Sequence, residues 1–151
     1  FIVFLGDNII QKDISEYVND FINSDDAASI LLCEVDNPSQ FGIAEIKNGK
    51  IIKLIEKPKN PSTNLAVTGI YFLTPIIFDL IDNLKPSWRN ELEITDALDM
   101  LLNEKHSISY KMITHYWKTT RIVFLPVKYK ALFRHLQYHH LLYCHQVRLS
   151  N

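Results

Sequence analysis

Three apolar runs constrain this chain most: FIVFL at residues 1–5, ASILLCEVD at 28–36 and LAVTGIYFLT at 65–74. Each is short, rich in β-branched, aromatic or leucine side chains, and bounded by turn residues, the pattern of buried strands. The unbroken apolar character of the second run is what strands in a parallel sheet show, because helices cover both of their faces. Helical patterns lie between the runs. In KDISEYVNDFINSDD, residues Ile14, Val18, Phe21 and Ile22 share one face, and Asp13 with Glu16 forms a capping-box pattern that starts the helix near Asp13. Strands interleaved with helices predict an α/β fold with a mixed sheet.

The second half of the chain continues this order. FGIAEIKNGKIIKLIEKP reads as a hairpin turning at Asn48-Gly49, a pair that tolerates positive φ at both turn centres. KPKNPSTN is a polar loop, and PIIFDLIDNL opens with proline where a helix accepts it. In LKPSWRNELEITDALDMLLNEK a loop leads to a helix capped by Thr95, with Leu98, Leu101 and Leu102 inward. SISYKMITHYW alternates as a further strand, and beyond it a short strand, Pro126 and a helix from about Lys130 are expected.

With 151 residues, 47% hydrophobic and 22% charged, the composition is that of a globular domain. No apolar run approaches the roughly 20 residues of a membrane span. The two cysteines, Cys33 and Cys144, are too few for a disulfide framework, which points to the cytoplasm. Charge is uneven: all 17 acidic residues lie at or before Glu104, while residues 105–151 carry 8 of the 16 basic residues and all six histidines.

The chemistry-bearing residues sit at strand ends. Asp7, in the Gly6-Asp7-Asn8 turn after the first run, stands where open α/β sheets bind ligands. Alone it reads first as a turn or N-cap aspartate, Asn8 as a turn residue, and Gly42 as a bulge. Glu56-Lys57-Pro58 ends the hairpin and by itself is an exposed ion pair.

LGDN, FGIAEI, EKP, AVTGIYF and LKPSWRNELEITDAL occur in the order and spacing of the sugar-1-phosphate nucleotidylyltransferases, which the chain resembles over residues 1 to about 117. The resemblance is nearest to the glucose-1-phosphate thymidylyltransferase type. It implies a Rossmann-like, doubly wound fold with a mixed, mostly parallel sheet. It also implies nucleotidyl transfer from a nucleoside triphosphate, dTTP foremost, to glucose 1-phosphate with release of pyrophosphate. Mg²⁺ is the implied cofactor and Asp7 its ligand, with Asp7 and Lys57 catalytic; Asn8, Gly42, Glu56, Lys57 and Val67 would bind the substrate. No membrane or nucleic-acid partner is implied, and a homo-oligomer is left open.

The chain also departs from that pattern. The family opens on a glycine-rich loop that cradles the triphosphate, and nothing like it precedes Phe1, so the chain reads as a C-terminal part truncated at its N-terminus. The family carries Trp-x-Asp-Thr-Gly, whose aspartate is the second metal ligand. Here the residues are Trp117-Lys118-Thr119-Thr120-Arg121, with Thr119 at the aspartate position. A hydroxyl does not replace a carboxylate on Mg²⁺. Residues 118–151 then read as a divergent basic tail, such as a shifted reading frame produces. Its His135, His139, His140, Cys144 and His145 raise zinc, yet the tail holds no carboxylate to support such a site. A nucleic-acid-binding arm is the other reading of the tail, and it lacks any named motif. The competing readings of the whole are an enzyme fragment inactive alone and a non-catalytic sugar-phosphate-binding protein or subunit that depends on a separate nucleotide-binding polypeptide.

Overall fold

A computed structural model describes residues 1–119. The strand and helix expected around Pro126 and Lys130, and the histidine–cysteine cluster, lie outside the described residues. Along the chain come β1 (Ile2–Phe4), β2 (Asn8–Ile10), α1 (Ser15–Ile22), β3 (Ala28–Glu34), β4 (Gly42–Lys47), β5 (Lys50–Glu56) and β6 (Leu65–Leu73). They are followed by α2 (Ile76–Ile81), α3 (Ile94–Asn103), β7 (Ile108–Met112) and β8 (Trp117–Thr119). Among the described residues no helix is long and apolar enough to cross a membrane.

The main sheet runs β5-β4-β6-β3-β7, with β1 also paired to β6, and β2 pairs with β8 in a separate two-stranded ladder. Only β3 and β7 run parallel; β1–β6, β3–β6, β4–β5, β4–β6 and β2–β8 are antiparallel. The sheet is therefore mixed but mostly antiparallel, which corrects the mostly parallel sheet expected from the sequence. The physical reason lies in the cover. On one face Ile30, Leu32, Val67, Tyr71 and Leu73 pack with Leu98 and Leu101 of α3. On the other, Leu31, Ile70 and Phe72 pack with Tyr17, Val18 and Phe21 of α1. Two covered faces make β3 and β6 apolar throughout, whatever the direction of their neighbours.

Local details shift with the tertiary contacts. The hairpin turns at Asn48 (φ 52°) and Gly49 (φ 72°), where the sequence places it. Helix α1 starts at Ser15 and has no side-chain cap. Asp13 instead accepts from the Ser15 N–H and hydroxyl, while Glu16 pairs with Lys12. Ile22, expected inward, is exposed, and Tyr17 is buried in its place. Helix α3 begins at Ile94 after Glu93, so Thr95 is in its first turn and caps nothing. The strand expected through Trp117 breaks after Met112, and Trp117 opens β8.

Candidate functional site

The C-terminal end of β1 and the β2–β8 ladder build one wall. Register pairs Asn8 with Thr119, which brings Thr119 to Asp7, 112 positions earlier in the chain. The Asn8 amide donates from Nδ2 to Asp7 Oδ1 (2.9 Å) and to the Leu5 carbonyl (3.2 Å). The Trp117 indole N–H donates to Asn8 Oδ1 at 2.8 Å, so each end of the amide has a defined partner. Thr119 Oγ1 donates to Asp7 Oδ2 at 2.8 Å. Gly69 lies beneath. Its φ is +68°, and a Cβ there would stand 2.7 Å from Asn8 Nδ2. It sits where one residue of β3, Leu31, faces three of β6, Thr68, Gly69 and Ile70, the register moving from Ile30↔Tyr71 to Leu32↔Val67.

The opposite wall is the end of β5. Thr95 Oγ1 donates to Glu56 Oε2 at 2.6 Å, and Lys57 Nζ and Arg89 Nη1 each lie 3.6 Å from Glu56 Oε1. Gly42 permits this approach, for a Cβ would come within 3.0 Å of Glu56 Oε2 and 3.1 Å of Thr95 Oγ1. Lys57 holds φ 40°, unusual for a non-glycine residue, and its N–H donates to the Phe41 carbonyl at 3.0 Å. The Phe41 ring meets Trp117 at 5.7 Å.

These walls enclose a cavity of about 290 Å³. All the residues expected to bind or react, Asp7, Asn8, Gly42, Glu56, Lys57 and Val67, line it, and so does Thr119. A second, larger hollow of about 540 Å³ lies across the Glu56-Lys57 partition, bounded by Lys59, Ser87, Trp88 and Asp96. Trp88 is 74% exposed, with Lys59 Nζ 6.0 Å from its ring centre.

Charge in the site is weighted to the acids. Burial, with the negative charges of Glu56, Asp7 and Glu93, pushes the Tyr71 phenol far above its ordinary range, so it stays a neutral hydroxyl. Burial raises the Glu93 carboxyl, against the hydrogen bond it accepts from Ser87, and burial likewise raises Asp96.

Magnesium asks for hard oxygen ligands, through carboxylates and substrate phosphates. Among the described residues no group of three or more His, Cys, Asp or Glu side chains is placed to hold a metal ion. Each Asp7 oxygen already accepts a hydrogen bond, and Thr119 faces it with a hydroxyl. The residues present do not fit a dedicated magnesium centre.

The profile of the nucleotidyl transferase family matches residues 1–120. The chain belongs to that family. It is 46% identical over 121 residues to the low-salt glycan biosynthesis nucleotidyltransferase Agl11 of Haloferax volcanii, covering 80% of this chain and 34% of the relative. It is 43% identical over 122 residues to a glucose-1-phosphate thymidylyltransferase of Streptomyces antibioticus, with the same coverage of 80% and 34%. Among solved structures it resembles a Bacillus anthracis protein assigned as a glucose-1-phosphate thymidylyltransferase, in complex with sucrose. The TM-score is 0.70 at 45% identity, over 78% of this chain and 48% of that one. The chain thus spans about a third of the length of these curated relatives.

Sequence reasoning missed four contributors to this site: Gly69, Thr95 as the partner of Glu56, Arg89, and Trp117 as the partner of Asn8. Gly69 carried a signal as an isolated glycine inside an apolar strand pattern, and Trp117 as the residue that opens the motif holding Thr119.

Proposed function

We propose that this chain forms the sugar-phosphate side of a nucleotidyltransferase, holding glucose 1-phosphate in the 290 Å³ cavity. The observation that carries the reading is the convergence of Asp7, Asn8, Gly42, Glu56, Lys57 and Val67 on that one cavity. In this reading Glu56, fixed by Thr95, accepts sugar hydroxyls, the second lone pair of Asn8 Oδ1 accepts another, and the Val67 backbone faces the ring. Gly42 lets the ring come close to the strand. Lys57 sets its compact charge against the phosphate.

In the complete reaction a phosphate oxygen of the sugar attacks the α-phosphorus of dTTP in line. A new P–O bond forms, the α–β bridge breaks, and pyrophosphate leaves with the electron pair. Catalysis of this kind is mainly positioning and charge neutralisation. Lys57 offsets charge on the attacking phosphate, and Asp7, through Asn8 and Thr119, keeps the wall of the site in place. The four glycines stand apart at 6, 42, 49 and 69, so these 151 residues hold no glycine-rich loop for a triphosphate. We therefore assign the chain alone binding without turnover, with nucleotide recognition supplied by another segment or polypeptide. We place it in the cytoplasm.

A second reading is a sugar-phosphate-binding protein with no transfer role, favoured by the hydroxyl of Thr119 at the metal-ligand position. Calorimetric titration with glucose 1-phosphate tests the shared part of both readings: saturable binding weakened by Glu56→Gln is expected, and no binding refutes them. Pyrophosphate release from glucose 1-phosphate and dTTP, with an N-terminal nucleotide-binding segment of a relative added, separates them. Release supports the first, and its absence the second.

A further inference from the structure

The loop between α2 and α3 holds an arginine that neither cavity uses directly. Arg89 lines neither the 290 Å³ nor the 540 Å³ hollow, yet its side chain is only 21% exposed. Its Nη2 meets Glu91 Oε2 at 2.7 Å, and its Nη1 meets Glu93 Oε1 at 3.2 Å and Glu56 Oε1 at 3.6 Å. The Ser87 hydroxyl donates to the same Glu93 oxygen at 3.0 Å. One guanidinium therefore serves three carboxylates, the last of which belongs to the substrate cavity.

A guanidinium does this as an ammonium does not. It is planar, always charged, and presents separate N–H groups in a fixed fork, so the angle between its partners is set. Without it Glu56 and Glu93, both largely buried, would repel across the gap that Arg89 fills. Thr95 then would hold Glu56 by Oε2 alone, and Lys57, more exposed and flexible, would be the one cation left beside Oε1. The groups facing Glu56 are Lys57 beside it, Arg89 and Glu93 from the loop, Thr95 and Asp96 from α3, and Tyr71 from β6.

We propose that Arg89 is a positioning residue: by bridging Glu56 to Glu93 and Glu91 it keeps the Glu56 carboxylate aimed into the sugar cavity. This rests on Glu56 being the sugar-hydroxyl acceptor proposed above, but the positioning itself is readable without any ligand.

The test compares the full chain with Arg89→Gln and Arg89→Lys. A crystal structure of each variant without ligand reads the Glu56 side chain. In Arg89→Gln its carboxylate should leave Thr95 Oγ1 and turn out of the cavity, and an unchanged Glu56 conformation in a folded variant overturns the proposal. Glucose 1-phosphate affinity should fall about tenfold in Arg89→Gln and be restored only in part by Arg89→Lys, whereas affinity for inorganic phosphate should not change. An equal loss for inorganic phosphate would mean that Arg89 contacts the phosphate itself, and overturns positioning through Glu56. If the wild-type chain binds no glucose 1-phosphate while the Glu56 side chain moves as stated, the positioning stands and the sugar-binding reading falls.

Discussion

Replacing Thr119 with aspartate turns the metal question into a measurement. Thr119 Oγ1 lies 2.8 Å from Asp7 Oδ2, donating to it. The Thr119→Asp change removes that donor, a loss of about 1 kcal/mol, and sets a second carboxylate against the first. Two unit charges at 4 Å interact by about 4 kcal/mol at an effective dielectric of 20. Both residues are only half-buried, so solvent screening brings the repulsion to about 2 kcal/mol. Without divalent cations the variant should therefore be destabilised by about 3 kcal/mol in all. Magnesium offsets most of that loss, because two carboxylates at this spacing are a ligand pair. At a hundred times the dissociation constant a cation that binds only the native state returns about 2.7 kcal/mol. The assay is thermal unfolding of wild type, Thr119→Asp and Thr119→Val, each in EDTA and in magnesium. Thr119→Val should show the hydrogen-bond loss alone and no response to metal. The reasoning is refuted if wild type gains as much from magnesium as the aspartate variant, or if the aspartate variant ignores the cation.

Three further outcomes follow from the same geometry. Gly69→Ala places a Cβ 2.7 Å from Asn8 Nδ2 and 2.9 Å from Leu5 Cδ1 at φ +68°; it should cost about 1–3 kcal/mol in urea unfolding. Gly42→Ala meets Glu56 Oε2 at 3.0 Å and Thr95 Oγ1 at 3.1 Å; with only side chains to displace, it should cost about 1 kcal/mol of stability while weakening glucose 1-phosphate binding in calorimetry. Burial raises the Asp96 carboxyl above its usual 3.8, so the native chain releases this proton later than the unfolded one, and stability is lost as pH climbs from that value through the raised one. Asp96→Asn escapes that loss: thermal unfolding should show it more stable than wild type at pH 7, with the advantage gone below pH 3.8.

The amino-acid sequence by itself determined the elements whose cause is local, and pointed to residues that line the cavity. Asn48-Gly49 turns the hairpin because both residues accept positive φ, a property no distant contact has to supply. Asp7, Asn8, Gly42, Glu56, Lys57 and Val67 were legible through their motifs, and Thr119 through the motif it departs from. Strand direction was not legible, because an apolar run reports that both faces of a strand are covered and carries nothing about which way its neighbour runs. Nor were the caps. Thr95 and Asp13 have the right chemistry for helix starts, but Glu56 and Ser15 take up their hydrogen bonds instead. Only the tertiary structure brings Thr119 to Asp7, Trp117 to Asn8 and Arg89 to Glu56. Those contacts span 112, 109 and 33 residues, and contacts at such separations depend on how the chain closes on itself, which residue pattern alone does not encode.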